Sequence, residues 1–141
     1  MRIFVDTNVL ISGIFFSGPE SLLLKQADIV FLTSDVNYKE VVEVTKRKFR
    51  KLNKNILDYS LQKVEEAFID IKIVDENIWK QKLETAARYL KGNDQKILAA
   101  VLFSQPDYFV THDRDFYKKD IENIINVVNT KTLLKKLGII E

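Results

Sequence analysis

The chain has 141 residues, of which 46% are hydrophobic and 30% are charged. It is long enough to bury the core of one α/β domain and short for two. The net charge of +2 excludes a dominating electrostatic field, so any nucleic-acid binding must come from local patches. The lack of cysteine excludes thiol nucleophiles and thiolate zinc sites, and the single histidine excludes a two-histidine ribonuclease mechanism. We expect a soluble, cytoplasmic protein, because no segment reaches the ~20 apolar residues of a membrane helix.

The first half of the chain alternates short apolar runs with amphipathic patterns. Apolar runs of four or five residues predict buried strands, and apolar residues at helical spacing predict helices. Ser34 and Asn53 are suited to cap the helices that follow them. In chain order, the predicted elements are a strand at 2–5, helices at 9–16 and 19–27, a strand at 29–32, helices at 35–51 and 54–68, and a strand at 71–74.

The second half continues the alternation with a helix at 78–90. Gly92-Asn93 is predicted to end that helix and cap the next, at 94–103. Strands follow at 108–110 and 124–128, and a last helix is predicted to begin at the cap Thr130 and end at Gly138. Strands alternating with helices imply a parallel sheet covered on both faces. We therefore predict a three-layer α/β/α fold with a central parallel sheet of four to five strands, in a single domain spanning residues 1–141.

Acidic residues recur where the predicted strands end or the next helices begin. In open parallel sheets, ligands bind outside the carboxyl ends of the strands, and carboxylates gathered there without a basic partner would repel unless a cation neutralised them. Oxygen ligands suit Mg²⁺ or Mn²⁺, which assist phosphodiester hydrolysis. The acids at these positions are Asp6, Glu40, Asp94, Asp113 and Asp115.

Each of these acids also has a purely structural interpretation. Aspartates often cap helices or favour their first turns, which applies to Asp94, and Glu40 alone could lie on a solvated helix face. Glu43 is an alternative to Glu40, since it lies three residues on. Asp113 and Asp115 are nearly equivalent by composition. The joint placement of the acids therefore supports the metal site, rather than any single residue.

Four segments resemble motifs of the PIN domain family, the nuclease fold of VapC-like toxins. Residues 5–13 (VDTNVLISG) are similar to the family's opening signature, and residues 40–44 (EVVEV) resemble its less specific second motif. Residues 94–100 (DQKILAA) and 109–116 (FVTHDRDF) resemble the third and fourth motifs. The resemblance implies a nuclease that uses Mg²⁺ or Mn²⁺. By position, its catalytic, metal-binding acids would be Asp6, Glu40, Asp94 and Asp113, with Asp115 as a reserve ligand, and Asn8 and Thr111 would orient them.

A basic run follows the second motif and predicts an RNA-binding surface. Cations such as these bind the phosphate backbone without reading sequence, although charge runs are often only solvated faces. Phe49 within the run could stack on a base or belong to the core. The candidate RNA-binding residues are Lys46, Arg47, Lys48 and Arg50.

The leading functional hypothesis is an endoribonuclease that acts as the toxin of a toxin–antitoxin pair. The alternatives are a PIN nuclease that processes RNA or structured DNA, and a catalytically inert PIN module that binds RNA or protein. The resemblance implies RNA as substrate, an antitoxin protein as a partner and a homodimer as an assembly. No membrane contact is expected.

Overall fold

A computed structural model describes residues 1–141 and contains one five-stranded, all-parallel sheet. The strand order is β3-β2-β1-β4-β5, so the order reverses at β1 and opens a crevice beside its carboxyl end. The strands are β1 (Arg2–Val5), β2 (Val30–Ser34), β3 (Ile71–Val74), β4 (Tyr108–Val110) and β5 (Val127–Val128).

Helices connect every pair of successive strands. Short 3₁₀ turns at Lys80–Lys82 and Arg114–Phe116 interrupt two of these connections. None of the helices combines the length and apolar character needed to cross a membrane. The helices are α1 (Thr7–Phe15), α2 (Pro19–Leu24), α3 (Asp35–Phe49), α4 (Lys54–Phe68), α5 (Glu76–Trp79), α6 (Leu83–Ala86), α7 (Gly92–Ser104), α8 (Lys119–Glu122) and α9 (Thr130–Lys136).

Side chains of β1 contribute to two separate hydrophobic cores, one on each face of the sheet. Ile3 and Val5 belong to a buried cluster of 15 residues under α1, α2, α3, α4 and α9. Phe4, which points to the other face, belongs to a cluster of 14 residues that includes Phe109 and most of the buried face of α7. The predicted three-layer α/β/α arrangement is confirmed.

The predicted continuous helix at 78–90 is wrong. The segment forms α5, a 3₁₀ turn and α6, separated by a non-helical Lys82 with φ −106° and ψ 3°. Trp79 is buried and its Nε1 donates to Asp35 Oδ1 at 2.8 Å, while Gln95 Nε2 donates to the Leu83 carbonyl at 3.1 Å. The parts of the segment before and after Lys82 are thus held by different parts of the fold, which overrides its local helical pattern.

Two predicted caps are also wrong, and one strand is shorter than predicted. Asn129 caps α9 by accepting from Thr132 N at 2.9 Å, whereas Thr130 is fully buried and bonds the His112 ring at 3.2 Å. Asn93 lies inside α7, which starts without a side-chain cap. Backbone turns that follow α8 take up residues 124 and 125, so β5 keeps only Val127–Val128. The caps Ser34 and Asn53 are confirmed.

Candidate active site and metal centre

Four elements bring acidic side chains to the carboxyl edge of the sheet. Asp6 follows β1 and caps α1, and Asp113 follows β4. Asp94 lies in the first turn of α7, and Glu40 lies in α3. All four of these acids line one open pocket at the reversal of strand order, together with Thr7, Asn8, Glu43, Val44, Arg47 and Ile97.

Asp6 is the most buried of these acids, with 5% of its surface exposed. Its Oδ1 accepts from Thr7 N at 2.9 Å and Asn37 Nδ2 at 3.0 Å, and its Oδ2 accepts from Thr111 Oγ1 at 2.5 Å. Burial raises the pKa of Asp6 above its usual range, and the charges of Glu40 and Asp113 add to the rise. The hydrogen bonds from Thr111 and Thr7 oppose it, because they favour the ionised form.

A buried amide that sequence reasoning missed connects Asp6 to Glu40. Asn37 Nδ2 donates to both Asp6 Oδ1 and Thr7 Oγ1, each at 3.0 Å. Thr7 Oγ1 in turn donates to Glu40 Oε1 at 2.6 Å. The only local signal is that Asn37 stands three residues after the cap Ser34, a spacing that by itself indicates a capping box.

A second group of acids lies beside this network. Asp94, Asp113 and Asp115 each offer a carboxylate oxygen, and the three oxygens lie within 4.8 Å of one another. Asp113 Oδ1 accepts from Asp115 N at 2.9 Å, which starts the 3₁₀ turn that brings Asp115 back towards the site. Burial raises the pKa of Asp94 to about 6, and the charges of Asp113, Asp115 and Asp6 contribute. Both candidates for the fourth ligand, Asp113 and Asp115, therefore lie close to Asp94.

The comparison with protein families agrees with this geometry. The family model described as the PIN domain matches residues 3–122, which includes all of these acids. The chain belongs to the PIN domain family.

Several solved structures have the same fold as this chain at low sequence identity. The chain aligns over 92% of its length with 98% of a chain of VapBC2 from Rickettsia felis bound to a promoter DNA fragment (18% identity, TM-score 0.61). FitAcB from Neisseria gonorrhoeae matches over 92% of this chain and 98% of its own (18% identity, TM-score 0.65). A toxin–antitoxin complex from Klebsiella pneumoniae matches over 91% and 97% (19% identity, TM-score 0.65). A search of curated proteins found no significant match.

The two glutamates of α3 share the pocket of this PIN domain but differ in how they are held. Glu40 accepts from Thr7 Oγ1 at 2.6 Å and from Asn93 Nδ2 at 3.4 Å. Glu43 is exposed and makes no side-chain hydrogen bond. The geometry therefore favours Glu40 over Glu43 as the fixed member of the site.

The two residues expected to orient the acids differ in their contacts. Thr111 is fully buried, donates to Asp6 Oδ2 and accepts from Asp113 N at 3.0 Å, so it links two acids. Asn8 is exposed, lines the pocket and makes no hydrogen bond to any acid. Thr7 and Asn37 instead make the contacts expected of Asn8.

The basic run of this PIN domain occupies the end of α3. Arg47 is exposed and lines the acidic pocket, whereas Lys46, Lys48 and Arg50 are exposed outside it. Phe49 packs on Phe15 with ring centroids 5.1 Å apart, so it belongs to the packing between helices rather than to an open stacking surface.

No lysine or arginine lies within ion-pair distance of the acids. The single contact of this kind brings His112 Nε2 to 3.8 Å from Glu20 Oε2, and it is an ion pair only when the histidine is protonated. Carboxylate oxygens that converge without a basic partner form the donor set that hard divalent cations require. The residues present therefore fit a Mg²⁺ or Mn²⁺ ion.

Proposed function

We propose that residues 1–141 act as one domain, an endoribonuclease that requires Mg²⁺ or Mn²⁺ and serves as a toxin. The observation that supports this most directly is the convergence of carboxylates from β1, α3, α7 and the turn after β4, without a paired cation. Four acids at one edge of the sheet would repel each other in a purely structural site. Desolvation, followed by this repulsion, already raises the pKa values of Asp6 and Asp94.

The acids divide into two sets with different environments. Asp94, Asp113 and Asp115 would hold the ion, since their oxygens are close together and partly accessible. Asp6 and Glu40 would complete the set of metal ligands from the buried side, where Thr111, Thr7 and Asn37 fix them. A bound divalent cation would supply a Lewis acid for the scissile phosphate and lower the pKa of a coordinated water.

The charges around the site support a nucleic-acid substrate. Arg47 reaches the same pocket as the acids and would contact a phosphate next to the scissile one. Lys46, Lys48 and Arg50 continue the positive surface along α3, where cations attract the backbone without reading its sequence.

The toxin role and the partners come from likeness to other proteins. One similar structure is described as a toxin–antitoxin complex, and another, VapBC2, is bound to a DNA fragment from its promoter. By analogy, an antitoxin would bind this chain and block its active site, and the chain would form homodimers.

The test is RNA cleavage by purified protein with and without Mn²⁺, comparing wild type with Asp6→Asn. We expect wild type to cleave only with the metal, and Asp6→Asn to lose about 10²- to 10³-fold in rate, the scale of a lost electrostatic contribution. Asp28→Asn is the matched control, because Asp28 is an exposed aspartate between α2 and β2. Undiminished cleavage by Asp6→Asn would remove that carboxylate from the reaction.

Expression in a bacterial host separates the toxin from the alternatives. Growth arrest by wild type that Asp6→Asn relieves is the result expected of a toxin. RNA cleavage without growth arrest would favour an RNA-processing enzyme, and RNA binding without cleavage would favour an inert module.

A further inference from the structure

One buried amide in α3 touches two parts of the site at once. Asn37 is fully buried, and its Nδ2 lies 3.0 Å from both Asp6 Oδ1 and Thr7 Oγ1. Its Oδ1 accepts from Ser34 Oγ at 2.6 Å and from Ser34 N at 3.3 Å. Building on the nuclease function above, we propose that Asn37 is a positioning residue that fixes Asp6 and Glu40 relative to each other and thereby sets the affinity of the site for a divalent cation.

The neighbours of Asn37 determine which way its amide points. The backbone N–H of Ser34 can only donate, so the amide oxygen must face it. Asp6 Oδ1 already accepts from Thr7 N, so the NH₂ group of Asn37 must face it as a second donor. Both requirements agree, and the two amide protons are directed to Asp6 and Thr7.

This orientation determines where the Thr7 proton goes. Thr7 Oγ1 accepts from Asn37 Nδ2, which leaves its own single proton free for Glu40 Oε1, 2.6 Å away. Successive donors thus run from Ser34 through Asn37 and Thr7 to a carboxylate, and bonds in such chains polarise one another. Without the amide, the Thr7 hydroxyl would be held by Glu40 alone and would fix that glutamate less firmly.

The contacts that support the fold and those that support the site use different atoms of Asn37. Its backbone N–H donates to Ser34 Oγ at 3.0 Å, and its Oδ1 accepts from Ser34, so these two groups complete the capping box of α3. Its Nδ2 contributes nothing to the cap and contacts only residues 30 and 31 positions away, at the start of α1. A helix cap alone does not require this second set of bonds.

The decisive measurement is Mn²⁺ affinity by isothermal titration calorimetry on the protein without RNA. We expect Asn37→Ala to weaken binding about 10- to 100-fold, the range found when partners that orient metal ligands are removed. Thr45→Ala is the matched control, because Thr45 is also fully buried in α3 but donates only to the Val41 carbonyl, at 2.7 Å. This control should lose stability and keep its Mn²⁺ affinity.

Variants of Thr7 test whether the amide acts through the hydroxyl. Thr7→Val should weaken Mn²⁺ binding, and Thr7→Ser, which keeps the hydroxyl, should restore it. In the Thr7→Val background, Asn37→Ala should cost less affinity than it does alone, because residues in one network are not additive. Fully additive losses would contradict the chain of donors.

These readouts separate the role of Asn37 from the nuclease activity. Wild-type Mn²⁺ affinity in a folded Asn37→Ala protein would overturn the positioning role and leave the proposed nuclease untouched. Mn²⁺ binding by wild type without RNA cleavage would overturn the proposed substrate, whereas the affinity comparison would still decide the role of Asn37. If Asn37→Ala fails to fold, Asn37→Ser replaces it, since a serine hydroxyl is too short to reach Asp6.

Discussion

At the scale of single residues, the site concentrates negative charges whose burial and mutual repulsion are unfavourable for the fold. Asp6 is buried and Asp94 is half-buried beside other carboxylates, and desolvation raises the pKa of both above the usual range. An acid whose pKa is higher in the folded than in the unfolded protein destabilises the fold wherever it must ionise. The penalty is absent below the unfolded pKa and complete above the folded one. Stability is therefore expected to fall as pH rises from about 4 to above the folded pKa of Asp94, about 6.

We therefore predict that Asp94→Asn stabilises the metal-free protein at about pH 7.5 and leaves it nearly unchanged at about pH 4, because it removes the ionisation penalty. The measurement is the free energy of unfolding from denaturant titrations at both pH values. Asp28→Asn, an exposed site, provides the control. Equal effects of Asp94→Asn at the two pH values would show that the carboxylate carries no such penalty.

Metal binding should reverse this penalty at neutral pH. A cation that binds the folded protein alone raises its stability by mass action, and it also neutralises the repulsion around Asp94, Asp113 and Asp115. We expect Mn²⁺ to raise the Tm of wild type at about pH 7.5 and to raise it less at about pH 5, where protons compete for Asp94. Chelation with EDTA should return the Tm to its starting value. An equal rise in Tm at both pH values would contradict competition between protons and the metal at the Asp94 carboxylate.

At the scale of elements, the position of each helix start decides which side chains reach the site. Asn129 caps α9, and this leaves Thr130 buried against His112 on the turn that carries Asp113. The capping box of Ser34 and Asn37 has a similar consequence, since it aims α3 so that Glu40 faces Thr7.

The corrected cap of α9 can be tested directly. Asn129→Ala should lower the free energy of unfolding by about 1 kcal/mol, because the N–H of Thr132 loses its acceptor. Thr132→Ala is the control, since its exposed side chain makes no hydrogen bond and should change stability by less than about 0.5 kcal/mol. Denaturant titrations of both variants measure the difference. A negligible effect of Asn129→Ala on the free energy of unfolding would show that Asn129 is not the residue that caps α9.

At the scale of the whole molecule, the small net charge conceals an uneven distribution. The acids face the pocket, and a basic stretch at the end of α3 borders it through Arg47. Such a local patch can release counterions from bound RNA although the protein as a whole is nearly neutral.

Neutralising Lys46, Arg47 and Arg50 together should weaken RNA binding and make it less dependent on salt. Each lost phosphate contact reduces the slope of log affinity against log salt by about 0.7 for single strands. Fluorescence anisotropy with labelled single-stranded RNA and the Asp6→Asn protein measures binding without cleavage. An unchanged salt slope would assign the patch to another partner.

The control for that experiment removes three exposed lysines that do not line the acidic pocket. Lys25 precedes β2, Lys72 lies in β3, and Lys136 lies 5.9 Å from the ring of Tyr108 at the start of β4. Their combined replacement changes the net charge equally, so a difference between the two triple variants reports position rather than total charge.

Local sequence patterns were sufficient to predict the fold class and the family of this protein. The alternation of apolar runs and helical spacing predicted the parallel three-layer fold, because burial on both faces of a strand leaves a visible signature. The motifs around Asp6, Asp94 and Asp113 predicted the family, and the ends of the strands predicted where these acids would meet.

The tertiary structure alone decided which groups hold these acids in place. The sequence pattern identifies Asn37 only as part of a helix cap, and its hydrogen bond to Asp6 forms only when α3 packs beside α1. Thr7 acquires its role from Glu40, 33 residues away, and Trp79 helps to break a predicted helix by bonding Asp35, 44 residues away. The local sequence pattern around a side chain indicates whether it lies in a helix or a strand. It does not indicate which partners folding brings to that side chain, and the chemistry of this site depends on those partners.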